Sequence, residues 1–547
     1  MVDEEREELH RRVMLLKEYI ESGKIIFAEH LVEEFFQKMK QIRFDEDGLV
    51  IPESVDGIIR SSSSFIAYME MRNNLKSVAS VLDVQQAYFT NIENVFGDFY
   101  KKMKEYKTNP HNFARALSRD EDYVNKVLPF IPEFLDKVIE FWSGVGDCVR
   151  YHVEDTQALK AVFGGDLFPS QNMNIASTCG LYFDSIILPD PFMQSVKLFP
   201  FWDKNSQVYY FIKHGLNALS YKSLSLTDFD LPVVVILPTK YGFDENYTKY
   251  LHNITEIDAL KYAGALFGHK FGSVDELDKF ANNLETPDDV IKSVTDTQLL
   301  LFDTEWSNPL HEQIIQYMKK HLFGVTHHPG KAIIGHCFGR MGQANDLLRK
   351  SFELKGTPLI DAETSWRYFN WKMHFDAISE TSNLIPLHVM RGLQTSAEGE
   401  MHWIGNIPPS ALIEMKRQGA ILEIREILSQ GIAEIIAADP MNFFDTTEKV
   451  MVNIESAFKE HEKQLNRIRN EKLKYFGIDV TSFLTVGGIS IAAAIIAHPV
   501  IGALSAGIGL LGVPTLRDLH HSFKELQDKS KEARSSPVGL FFKHKKI

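Results

Sequence analysis

The run Val480–Thr515, VTSFLTVGGISIAAAIIAHPVIGALSAGIGLLGVPT, holds no Asp, Glu, Lys or Arg; the nearest charges are Asp479 and Arg517. It is too long for an ordinary core helix and reads as membrane-competent. Proline lacks an N–H and clashes with the preceding turn, so His498-Pro499 divides the run into two arms, Val480 to Ala497 and Val500 to Leu516. At 1.5 Å per residue each arm is roughly 26 Å long, just short of a hydrocarbon core of about 30 Å. A tight helical hairpin over 479–516 is therefore expected.

Gly487, Gly488, Gly502, Gly507, Gly509 and Gly512 give this hairpin its texture. Small residues four apart, Ala503/Gly507 and Ser505/Gly509, let helix backbones approach closely in lipid. The same glycines would also suit a buried hairpin at the centre of a soluble domain. His498 is the only ionisable side chain in the run, which favours the membrane. Lys459–Lys474 has six basic and three acidic residues, and Arg517–Ile547 eight and four, so both flanks are basic on a chain of net charge −14. Such flanks place both ends on the cytoplasmic face and attract anionic lipid.

Upstream, Met451, Ile454, Phe458, Leu465 and Ile468 lie on a seam with steps of three and four, interrupted by His461 and Lys472. A long partner-facing or bundle helix over this seam leads through Gly477 into the hairpin. The expected organisation is mainly α with a central α+β region. An N-terminal helical bundle occupies 1–165, the α+β region 166–407, and a helical region with the long helix 408–478. The hairpin and a basic tail, 517–547, follow.

In the N-terminal part, Leu9, Val13, Leu16 and Ile20 form one helical stripe, and Leu31, Phe35, Met39 and Ile42 the next. Helices are also expected from Phe65 to about Tyr106 and from Ile131 to about Val149. In the centre, Leu181–Pro191, Val208–Ile212 and Pro232–Leu237 have the strand pattern, and Gln298–Phe302 and Ala332–Gly335 resemble it. Thr286-Pro287-Asp288-Asp289 is a helix start. Ile421, Ile424, Leu428, Ile432 and Ile435 form one stripe that stops at Asp439-Pro440.

Acidic residues outnumber basic ones, 73 to 59, which gives no sequence-wide signal for nucleic acid. The three cysteines, Cys148, Cys179 and Cys337, are scattered, and MVDEEREELHRR holds no apolar signal core. Both suit a reducing, cytoplasmic location, associated with the inner face of a membrane if the hairpin inserts.

Reactive side chains cluster at His321, His327, His328, His336 and Cys337, but their spacing matches no zinc pattern. Gly330-Lys331 lacks the spacing and the hydroxyl of a phosphate loop. Asp184 and Asp190 form one carboxylate pair. Glu398, Glu400 and His402 form a second candidate group for acid–base work, and Asp361, Glu363, His374 and Asp376, near Trp366 and Trp371, a third. No G-x-S-x-G, H-E-x-x-H, paired C-x-x-C or G-x-G-x-x-G is present, so no metal or cofactor is expected, and a non-enzyme is preferred.

The reading that follows is a soluble body controlling a hairpin that anchors to or disrupts a membrane, in the manner of a toxin or defence effector. An anionic membrane, a protein partner or self-association would be its counterpart. The alternatives are a soluble enzyme or ligand-binding protein with the hairpin as core, and a partner-binding scaffold.

Overall fold

A computed structural model describes residues 2–25, 29–164, 175–300, 302, 306–320, 328–376, 381–399, 401, 405 and 407–475. At 2–3, 29–31, 298, 320, 374–376, 381–383, 458, 461–462 and 464–475 only the backbone course is described. The expected hairpin and basic tail, with all six glycines, His498 and Pro499, lie outside these residues. So do His321, His327, Glu400 and His402.

The described residues are mainly helical with one small sheet, as the patterning predicts, and they divide into two compact units. The first comprises residues 1–91 and 136–156. Here α1 (Val2–Glu21), α2 (Glu29–Lys40) and α3 (Gly57–Lys76) enclose Leu9, Val13, Leu16, Phe35, Val50, Val55 and Ile59. Gly23, in the left-handed region at φ 69°, stands just past the end of α1. The expected helix from Phe65 to Tyr106 is in fact two, because the chain breaks between Lys76 and Val81 before α4 (Val81–Glu105). The N-cap of α3 is Asp56, which accepts from the amide of Ile58, and Ser61–Ser64 lie within the helix. After α5 (Pro110–Leu117) and α6 (Glu121–Val127) comes α7 (Ile131–Asp155). In this unit His152 Nε2 lies 3.1 and 3.0 Å from the carbonyls of Lys76 and Ala79, and Arg72 bonds Glu154 and Asp155 at 2.6 Å each.

The second unit is built on four parallel strands, β1 (Lys160–Phe163), β2 (Ser185–Pro189), β3 (Val234–Leu237) and β4 (Thr357–Leu359), in the order β3-β2-β1-β4. Every residue of β1, β2 and β3 is buried, which is why β2 and β3 read as continuous apolar runs rather than alternating ones. The single-turn helices α8 (Ile175–Cys179) and α9 (Pro191–Ser195), with α10 (Lys204–Ser225), connect the first three strands. Helices α11 (Glu245–Phe267), α12 (Val274–Asn282), α13 (Pro287–Ser293), α14 (Leu310–Lys320) and α15 (Pro329–Glu353) intervene before β4. Thr286 caps α13 through the expected capping box with Asp289.

Two expected strands are helices instead: Val208–Ile212 lies in α10 and Ala332–Gly335 in α15. Apolar runs of four or five residues fit a buried helix face as well as a strand, and tertiary packing decides. Gln298 and Leu299 belong to a single 3₁₀ turn rather than a strand.

The remaining helices are α16 (Glu363–Asp376), α17 (Thr381–Glu398), α18 (Pro409–Arg417), α19 (Ala420–Ser429), α20 (Ile432–Ala438) and α21 (Phe443–Tyr475). The stripe Ile421–Ile435 is split into α19 and α20 because Gly431, at φ 75°, takes the left-handed conformation. Met451 is partly buried and Ile454 buried on α21, whereas Phe458, Leu465 and Ile468 fall where only its backbone is described.

Packing of α10 depends on Gly215, where an added Cβ would stand 2.4 Å from the ring of Phe96. Phe96 in turn meets Phe211 and Phe134 at ring separations of 4.8 and 5.5 Å. Gly215→Ala should cost about 1–3 kcal/mol in urea unfolding through overpacking. Gly144→Ala, in α7 with nothing within 4 Å of the new Cβ, should be neutral or stabilise by about 0.5–1 kcal/mol. Equal effects of the two would contradict this packing.

Candidate functional site

Strand order runs outward from β1 through β2 to β3, then returns so that β4 lies on the other side of β1. In open parallel sheets the crevice at the carboxyl ends of the strands, where the order reverses, is the usual ligand position. Here that point is the junction of β1 and β4. Gly356 permits the close pairing, since a Cβ there would lie 2.7 Å from Val162. Pro358 is tolerated because β4 is an edge strand. Beyond the strands, Gly164 donates its N–H to Leu359 O at 3.0 Å.

Helix α17 supplies polar groups to this junction. Gln394 donates from Nε2 to the carbonyl of Ile360 at 2.8 Å, just past β4. Its Oε1 is buried and has no hydrogen-bond partner, and the whole side chain is only 4% exposed. The amide is oriented by its partner, since the reverse orientation would set two acceptors together. An unpaired buried acceptor costs about 1–3 kcal/mol. Arg391, one turn earlier, pairs with Glu363 at the start of α16 and stacks over Trp366 at 4.9 Å. Glu398, one turn later, has its carboxyl raised above the ordinary range by partial desolvation and by the charges of Glu363 and Asp361, against the opposing pull of Arg391. Burial raises the Cys179 thiol and the Tyr221 phenol, and the charge of Asp361 raises both further. Asp361 and Glu363 thus both act on the Glu398 carboxyl, joining parts of two groups that are separate in sequence.

The neighbouring stripe of α17 faces another element. The stripe of residues 388 and 392 is centred about 110° round the helix from that of 391 and 394. His388 Nδ1 is 2.8 Å from Thr446 Oγ1, and Nε2 is 3.1 Å from Pro440 O. A carbonyl only accepts, so Nε2 carries the hydrogen and Nδ1 accepts from the threonine hydroxyl. The imidazole stacks on Phe443, the first residue of α21, with centroids 3.9 Å apart and planes 6° from parallel. Phe443 also meets Trp366 edge-on at 5.1 Å. Glu363, Arg391, Trp366, Phe443 and His388 are therefore one continuous set of contacts from crevice to α21.

The other candidates disperse. His336 and Cys337 are core residues of α15; His336 Nε2 is 2.5 Å from Tyr368 Oη, and burial pushes the Cys337 thiol up to about 12. His328 caps α15, accepting from the Lys331 amide. Among the described residues no group of three or more His, Cys, Asp or Glu could hold a metal ion. Asp184 and Asp190 flank opposite ends of β2 and form no pair: Asp184 accepts from Leu159 N–H and pairs with Arg425, whereas buried Asp190 caps α9. Trp371 packs on Tyr262 at 4.8 Å, and His374 and Asp376 lie where only the backbone of α16 is described. Sequence reasoning missed Arg391 and Gln394; their one signal is polarity inside the apolar segment PLHVMRGLQ.

Comparison of the chain with protein-family models, with curated proteins and with solved structures returned no match.

Two buried imidazoles set a pH dependence. Neither ring nitrogen of His214 has a partner, and burial lowers its pKa to about 3; burial lowers that of His388 to about 4. Both are neutral when folded but take up a proton below the ordinary 6.5 when unfolded. Their contribution is whole above that value and is lost progressively as pH falls towards 4 and 3. The urea midpoint should drop between about pH 6.5 and about pH 4, and His214→Phe should flatten the drop. A variant with the full wild-type slope would assign the effect to other groups.

Proposed function

We propose that this protein is a ligand-responsive effector whose folded body controls the membrane activity of the run Val480–Thr515. The observation that carries the reading is the double duty of α17. One stripe, Arg391 and Gln394, bonds to Glu363 and to Ile360 beside the carboxyl end of β4, and the adjacent stripe clasps α21, the helix that leads towards the uncharged run. A ligand that shifts Arg391 acts on Trp366, and Trp366 on Phe443, each through direct contact. The length of the run, its small-residue spacing and its basic flanks support insertion at an anionic membrane, on the inner face. Among the described residues no helix is long and apolar enough to cross a membrane, so the activity is assigned to the run alone.

Flotation with anionic vesicles tests this, using the full chain beside one ending before Asp479. The full chain should float, less so at high salt, and the shortened chain should stay folded and remain below. Gly507→Leu with Gly509→Leu should abolish flotation without lowering the unfolding midpoint. If neither chain floats and the shortened one unfolds, the run is core. The crevice would then belong to a soluble enzyme or ligand-binding protein.

A further inference from the structure

Resting on the reading that the folded body controls the run, we infer that acid is a second input: the α17–α21 clasp is a latch that a proton on His388 opens. The ring sits at the helix contact itself. His388 is fully buried, and both its nitrogens are committed to uncharged partners: Nε2–H donates to Pro440 O, and Nδ1 accepts from the Thr446 hydroxyl. Phe443 covers one face of the ring at 3.9 Å, and Gly392 against Val450 closes the contact one turn further on.

A proton on Nδ1 finds a hydrogen bond there but no counterion. It turns that nitrogen into a donor. The Thr446 hydroxyl can rotate to accept, because the carbonyls of Asn442 and Phe443 lie 3.1 and 3.2 Å from its oxygen and take its hydrogen. What remains unfavourable is a charge sealed from water. Asp439, in the turn before α21, favours the proton but is itself exposed. Glu434 on α20 and Asp445 and Glu448 on α21 are also exposed, and Lys449 is half-buried. On α16, Glu363 is paired with Arg391 and Arg367.

Lifting α21 off α17 hydrates the imidazolium, so acid favours the lifted state. Burial lowers the pKa of the closed ring to about 4, against an ordinary 6.5. The neutral clasp is therefore whole above 6.5 and weakens as pH falls towards 4; opening is about twentyfold more favourable at about pH 5 than at about pH 7. His214 does not replace His388 in this role, because it packs on Phe192 and Tyr210 and its proton acts on that core rather than on α21.

Amide hydrogen exchange of the full-length chain at about pH 7 and about pH 5, corrected for the intrinsic pH dependence of exchange, tests the latch. Protection at 446–455 should fall about twentyfold in the wild type while β2 and β3 keep theirs. His388→Gln keeps a donor for Pro440 and an acceptor for Thr446 but does not titrate, so its protection should not fall. No fall in the wild type, or an equal fall in a folded His388→Gln protein, overturns the inference. If the variant does not fold, the wild type decides: a fall that starts below about pH 6.5 and follows one proton supports the latch, and any steeper dependence overturns it. Flotation with anionic vesicles at the same two pH values separates this inference from the reading beneath it. Acid release of α21 without flotation keeps the latch and overturns membrane activity of the run, whereas acid-dependent flotation of His388→Gln overturns the latch alone.

Discussion

Gly392 lets two helices touch. A Cβ there would lie 2.9 Å from Val450, so only glycine allows α17 to approach α21 this closely at that point. The close approach brings His388 within hydrogen-bond reach of Thr446 and flat against Phe443. Asn453, further along α21, donates to the carbonyls of Leu428 and Gln430 at 3.3 and 2.9 Å and holds the end of α19 against the same helix. Because helix stripes are set by a period of 3.6 residues, fixing this face of α17 also fixes the face carrying Arg391, Gln394 and Glu398. The crevice geometry therefore follows from the helix contact.

The sheet imposes the complementary constraint. Its strands are short and wholly apolar apart from Lys160, Ser185 and Thr357, and their backbone groups pair in parallel register. Polar chemistry is displaced to the strand ends. At the amino end of β2, Lys416 donates to the carbonyl of Phe183 at 3.0 Å and Arg425 to that of Tyr182 at 2.7 Å, tying α18 and α19 to the turn before the strand. At the carboxyl end of β4 the corresponding bond is made by Gln394, but only one half of its amide is used. A tie that satisfied the whole side chain would be purely structural; the unused oxygen separates the two ends of the sheet in character. Elsewhere in this unit, buried charge is compensated internally: Lys372 pairs with Asp258 at 2.8 Å, and Asn345 donates to the same carboxylate.

Local pattern carried the helices well, because caps, breakers and the 3.6-residue period act within a few residues. Thr286 and Pro409 start helices where the pattern places them, whereas Asp56 and Gly431, which also start or stop helices, were not read as such. Two strands were legible from apolar runs, β2 and β3. The other two were not: β1 opens on a lysine and has four residues, and β4 has a proline at its centre. Both become strands through pairing with distant partners. Likewise Asp361 with Glu363, and Glu398, stood out as separate acidic groups, and only the docking of α17 on β4 joins them. Arg391 and Gln394 looked like isolated polar residues in an apolar segment. His336 and Cys337 stood out as reactive side chains, but α15 turns both into its core.

The most direct test of this account is amide hydrogen exchange on the full-length chain, wild type against Gly392→Ala. Alanine favours the helix locally by about 0.5–1 kcal/mol, so any loss of protection reflects the contact rather than the propensity of α17. The account predicts that amides at 446–455, in the first turns of α21, exchange at least about tenfold faster in the variant, with β2 and β3 unchanged. Unchanged protection of α21 in a stably folded Gly392→Ala protein would contradict the claim that this contact holds crevice and long helix together.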